Sequence, residues 1–183
     1  MKEYFKEFKP FLLFLAKFFG TYLVLTFAYQ TYLSEFDQKK FEVDGFTKIV
    51  AHQTMQFTAL FDCEAYKMPN LKEPSINLFY KKKWVSRIIE GCNALSIMIL
   101  FVSFVFAFTG KLKQTLLFIV FGCIVIHLFN IIRIALLGMS LYHYPKYQAI
   151  LHDVFFPLFI YGVVFILWIV WVNKFSDYAK KSS

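Results

Sequence analysis

From Val154 to Val172 the chain carries no charged side chain, and three other stretches come close to the same purity. A run of roughly 20 apolar residues is the length that crosses the hydrocarbon layer of a bilayer as a helix. Four runs meet that test, at about 11–32 (interrupted only by Lys17, which can snorkel to the near interface), 92–108, 114–137 and 154–172. The expected fold is therefore all-α, a polytopic transmembrane helical bundle of about four spans forming a single membrane domain over residues 1–183. Apolar residues make up 58% and charged residues 17% of the chain, which excludes an ordinary soluble domain. The formal charge of +8 does not point to nucleic acid, because the lysines flank apolar spans instead of forming a basic face. Membrane lipids are the expected partners of that charge.

The N-terminus runs from Lys2 and Lys6 into the first span without a small-residue cleavage site, which reads as a retained anchor. The one long connection, 33–91, holds Phe46, Ile49, Val50, Phe57, Leu60 and Phe61 at helical spacing, interrupted by Lys48, His52, Gln53 and Gln56. This pattern predicts an amphipathic helix lying on the membrane or capping the bundle. Pro69 and Pro74 then break the chain, and Lys81, Lys82, Lys83 and Trp84 read as an interfacial anchor before the second span; Trp168 and Trp171 suit an interfacial belt. With the N-terminus inside, Lys2, Lys6, Lys9, Lys111, Lys113, Lys174, Lys180 and Lys181 fall on the cytoplasmic side, and Lys146 and the 33–91 loop fall outside.

Ionisable groups within spans are costly and usually functional, which makes Arg133 the most informative residue. It lies about 28 Å along a helix from Gln114, close to the outer interface, with Asn130, His127 and Cys123 continuing a polar stripe below it. Cys92 follows a glycine at the start of the second span, where the positive end of a helix dipole favours a thiolate. His152 opens the fourth span on the same side, as a neutral imidazole able to take a proton. Each residue has a plainer reading: Arg133 reaching to lipid phosphate, Cys92 as a small buried hydrophobe, His152 as an interfacial cap. Taken together, a nucleophile, a cation and a base from three spans at one membrane face suit acyl transfer, in a pocket expected to be lined by span aromatics. Cys123 lacks an acid-base partner, Cys63 is a loop thiol, and the three cysteines have no CxxC spacing. His127 reads as an interhelical hydrogen-bonding group and His143 as solvated; His127 and His152 lack the spacing of a metal or haem pair.

The sequence Glu90-Gly91-Cys92-Asn93-Ala94-Leu95, the Asn-x-x-Arg of Asn130 and Arg133, and His152 opening a last hydrophobic helix resemble the exosortase/archaeosortase family. Within it, the chain is similar to the short exosortase F type of Bacteroidetes-group bacteria. The resemblance implies a cysteine protease or transpeptidase of the inner membrane with its active site facing the periplasm. Its substrates would be proteins bearing a C-terminal sorting signal: a short motif, a transmembrane helix and a basic tail. Cys92, Arg133 and His152 would be catalytic, with no metal or organic cofactor. The chain departs from the family in having few spans and in Asn93 and Ala94, where small residues usually follow the cysteine. The rival reading is a non-catalytic membrane subunit whose Arg133, Asn130 and His127 bind a lipid headgroup or a partner helix.

Overall fold

A computed structural model describes residues 2–36, 40–61, 64–108 and 110–176, and in residues 2–7 the backbone alone. The all-α polytopic architecture is present. Helices α1 (Lys2–Ser34), α4 (Leu112–His143) and α5 (Ile150–Phe175) are each long and apolar enough over their core windows to cross a membrane. Between α1 and α4 lie α2 (Gly45–Ala59) and α3 (Leu95–Ala107). At about 1.5 Å per residue α3 measures only about 20 Å, shorter than a full hydrocarbon span. It begins three residues later than the second run of the sequence, because the segment around Cys92 folds as a separate turn.

α3 lies against α1 and α4. Phe14 of α1 packs on Phe108 with ring centroids 4.8 Å apart, and Phe101 of α3 is fully buried against Gly122 of α4. Gly122 is needed there: a Cβ on it would stand 2.2 Å from the Phe101 ring. Ile126, Ile160, Val164, Leu167 and Trp171 complete this core within the spans. Trp171, expected in an interfacial belt, is instead 0% exposed, packed on Phe118 and over Gly110, so its indole fills the bundle end. Trp168 stacks on Phe104 at 4.2 Å.

At about 48 Å, α4 is longer than the bilayer core is thick. Its final turns run past Leu137, where the apolar run ends, to His143 and enter a cap built from the 33–91 connection. The expected amphipathic helix exists as α2, started by Asp44, whose Oδ1 accepts from the Thr47 amide at 2.9 Å. Its buried face is not the large apolar one. Thr47, Val50, Ala51, Thr54 and Thr58 turn inward while Ile49, Leu60 and Phe61 stay exposed. Small residues let α2 approach α4 closely; Thr58 returns its hydroxyl to the Thr54 carbonyl at 2.8 Å, while the Thr54 hydroxyl itself is buried without a partner.

A small sheet was not anticipated. Strands β1 (Ala65–Pro69), β2 (Ile76–Tyr80) and β3 (Lys83–Ile88) form an antiparallel sheet in that order. Ile76, Leu78 and Tyr80 alternate inward, meeting Val50 and Ala51 of α2 and Ile134 of α4 in a second core. Lys81 and Lys82 both have positive φ, 46° and 63°, the backbone of a two-residue hairpin turn whose twist matches the strands. The lysine run is therefore a hairpin tip, with Lys81 and Lys83 near the Tyr142 ring, and not the entry to a span.

Candidate active site

The segment Glu90-Gly91-Cys92-Asn93-Ala94 joins the sheet to α3, and Glu90, Cys92 and Asn93 within it are held by hydrogen bonds with the helices. Glu90–Cys92 is a single 3-10 turn, after which Ala94 takes a left-handed conformation with φ 67°. For a residue with a Cβ that conformation costs about 1–2 kcal/mol, so neighbouring contacts must impose it. Asn93, 1% exposed, supplies them: its Oδ1 accepts from the Leu95 amide at 2.8 Å, and its Nδ2 donates to Tyr29 Oη at 3.2 Å and Thr47 Oγ1 at 3.1 Å. Tyr29 in turn donates to the Glu90 carboxylate. Three elements, α1, α2 and the segment itself, thus lock the turn carrying Cys92. Cys92 sits ahead of α3 and not in its first turn, so positioning by this lattice replaces the helix-end argument made from sequence.

α4 reaches the same turn. Asn130, fully buried, donates from Nδ2 to the Cys92 carbonyl at 2.9 Å and accepts from Arg133 Nη1 at 3.2 Å. One amide therefore fixes both the backbone of Cys92 and the guanidinium, which explains the spacing of Asn130 and Arg133: three residues apart on a helix share a face. The Arg133 Nε is buried without a partner.

His152 enters from α5. Pro157 has no N–H to give the Asp153 carbonyl four residues earlier, and the helix accommodates this with a π turn at Leu151–Phe155, in which the Phe156 amide bonds to the Leu151 carbonyl. His152 stands in that turn, half-exposed, its Nδ1 bonded to Asp153 Oδ1 at 2.7 Å. A carboxylate only accepts, so Nδ1 is the donor in this bond, and in the neutral imidazole that leaves Nε2 as the acceptor nitrogen. Asp153 had no role in the sequence reading; as the immediate chain neighbour of His152 it offered no helical spacing to notice.

Cys92, Arg133 and His152 line one cavity of about 360 Å³. Among the described residues no aromatic of the spans lines it; strand β3 supplies that wall, where Trp84, Val85, Ser86, Arg87 and Ile88 face Leu137, Leu141 and Gln148. The other candidates lie elsewhere. Cys123 packs against the core within the spans, and Cys63 falls outside the described residues. His127 bonds through Nε2 to Gln53 of α2 at 2.7 Å, the interhelical role expected of it, and lies against Phe46. His143 is exposed beside Tyr142 and Tyr144. Glu90 bonds to Tyr29 and not to His152.

Neither curated proteins nor solved structures give a match to this chain. A family model described as transmembrane exosortase (Exosortase_EpsH) matches residues 11–173, from the first turns of α1 to the last turn of α5. Since that match takes in all five helices, the sheet and the whole Cys92 cavity, the chain belongs to the transmembrane exosortase family.

Proposed function

We propose that this exosortase-family membrane protein is a cysteine transpeptidase or peptidase acting on proteins with a C-terminal sorting signal. The single observation behind this reading is the shared cavity of Cys92, Arg133 and His152. His152 Nε2 takes the Cys92 proton, and Sγ attacks the scissile carbonyl of the substrate just outside its transmembrane helix. Arg133, which lines the same cavity, stabilises the oxyanion of the tetrahedral intermediate with its guanidinium charge. That intermediate collapses to a thioester as the C–N bond breaks and the imidazolium returns its proton to the departing amine. An acceptor amine or water then attacks the thioester, restoring the thiol.

The short F type of the family is the subgroup this reading favours, on the motifs at Cys92, Asn130 and Arg133. The cavity lies at the end of the bundle away from Lys111 and Lys113, so the positive-inside rule supports an inner-membrane protein with a periplasmic site. The test is cellular processing of a reporter with a motif, a transmembrane helix and a basic tail. Wild type should shorten it. Cys92→Ser should abolish processing while expression persists, since a hydroxyl is hardly ionised. Arg133→Lys should retain little activity, because an ammonium lacks the planar fork. Wild-type processing by Cys92→Ser would overturn the nucleophile and leave a headgroup- or partner-binding subunit as the better reading.

A further inference from the structure

Lys81 and Lys82 hold the two central positions of the β2–β3 hairpin turn at positive φ, where asparagine and glycine are the usual residues. Strain of this kind collects where a side chain is needed for another purpose. The side chains of the hairpin converge. Lys81 Nζ and Lys83 Nζ each stand 5.8 Å from the centroid of the Tyr142 ring, and that ring is fixed edge-on against the buried Tyr80 at 5.1 Å. Lys146, in the turn that follows α4, adds a further cation at the same end. Among the described residues no carboxylate lies within ion-pair distance of any of these lysines; Glu64 lends only its backbone carbonyl, to the Lys81 amide at 2.8 Å. Ammonium groups gathered on one ring repel one another, and an anion between them relieves that repulsion.

Height along α4 decides which anion. Arg133 lies about 31 Å up the helix from Leu112, which is the thickness of the hydrocarbon layer. Tyr142 stands about 14 Å further along, whereas the headgroup layer on one face is only about 5–8 Å deep. The lysines therefore stand in water beyond the phosphates of the bilayer, and the interfacial anchor expected from the sequence is displaced outward. Trp84, which follows Lys83, is half-exposed and lines the Cys92 cavity, so one surface runs from the reacting end to the hairpin tip. An extended chain advances about 3.3–3.6 Å per residue, so about four residues cover the rise. We propose that the Lys81–Lys83 hairpin docks an acidic stretch of the substrate polypeptide, centred about four residues on the N-terminal side of the scissile bond. That side points away from the membrane, since the substrate's own helix follows the scissile bond. That the acidic chain is a substrate rests on the proposed peptidase reading; its binding to the hairpin does not.

The binding experiment uses the full Cys92→Ala chain in phosphatidylcholine nanodiscs and follows the anisotropy of a dye-labelled Gly-Glu-Glu-Glu-Gly peptide, with Gly-Gln-Gln-Gln-Gly as the control. The acidic peptide should bind, less tightly as salt rises, and the glutamine peptide should not. Lys81→Gln with Lys83→Gln removes two exposed charges without touching the backbone bonds of the sheet, and should weaken binding about fivefold or more at an unchanged melting temperature. Lys81→Glu with Lys83→Glu should instead bind a Gly-Lys-Lys-Lys-Gly peptide. In cells, a reporter with a pair of glutamates about four residues ahead of the scissile bond should be shortened faster than one with the pair about ten residues ahead, and the double glutamine variant should shorten the two alike. Equal binding of the acidic and glutamine peptides would overturn the docking surface. Loss of retained phosphatidylglycerol in place of peptide binding in the double glutamine variant would overturn it in favour of a lipid phosphate. Peptide binding with no shortening of any reporter would count against the peptidase reading alone.

Discussion

Replacing Asn130 with alanine tests how the site is assembled without touching any of the three residues that line its reacting end. The side chain is 0% exposed and makes two bonds, to the Cys92 carbonyl at 2.9 Å and from Arg133 Nη1 at 3.2 Å. Removing one partner from a buried polar group costs about 1–3 kcal/mol, and bonds to charged groups lie toward the upper end. Two such losses in one contiguous network add imperfectly, so a destabilisation of about 2–4 kcal/mol is expected. For a chain of this size each kcal/mol lowers the melting temperature by about 2–4 °C, giving a fall of about 5–15 °C. Asn130→Asp divides the two bonds: it retains an acceptor for Arg133 but loses the donor to Cys92 and sets a carboxylate against that carbonyl. It should therefore melt above the alanine variant while loosening the Cys92 turn as much. The assay is melting in detergent together with alkylation of Cys92 in a Cys63→Ala, Cys123→Ala background. Loosening worth 1–2 kcal/mol changes the alkylation rate about fivefold or more. An alanine variant that melts within about 1 °C of its parent, with Cys92 alkylated at the parental rate, would refute the claim that α4 holds the turn.

Gly122→Ala should destabilise by about 1–3 kcal/mol through overpacking, because the new methyl would meet the Phe101 ring; Phe101→Leu in the same chain should restore much of the loss, as melting curves of the four variants would show. Tyr29→Phe removes the group that joins Glu90 to Asn93 and should speed Cys92 alkylation without changing the helix content seen by circular dichroism. His152→Ala should lose processing at neutral pH and regain part of it at alkaline pH, where bulk base supplies the thiolate although the leaving amine still lacks its acid; Asp153→Asn should lie between it and wild type. Reporter fusions after Lys113 and at Lys146 should give cytoplasmic and external signals respectively, and a cytoplasmic signal at Lys146 would reverse the orientation proposed for the cavity.

The apolar runs determined by themselves that this chain is a bundle of membrane helices, because spanning length and the absence of charge leave a segment few other places to go. Cys92, Arg133 and His152, which line one cavity, stand out in the sequence for the same reason: in so oily a chain, polar groups at span ends are conspicuous. Asn130 was legible as a turn-mate of Arg133, but its bond to Cys92 joins residues 38 apart, and nothing local encodes it. The sheet escaped notice because Ile76, Leu78 and Tyr80 alternate over only five residues between prolines and lysines, too brief a signal to outweigh a loop. The buried face of α2 also depended on tertiary structure. Periodicity found the helix, but Thr47, Thr54 and Thr58 face inward because α4 passes close to them and leaves Leu60 and Phe61 outside. Likewise the wall of the cavity comes from β3, the placing of His152 from a π turn just ahead of Pro157, and the strained Ala94 from a lattice of hydroxyls on two other helices. Hydropathy acts residue by residue and survives in the sequence; close approach and shared hydrogen bonds exist only once distant segments have met.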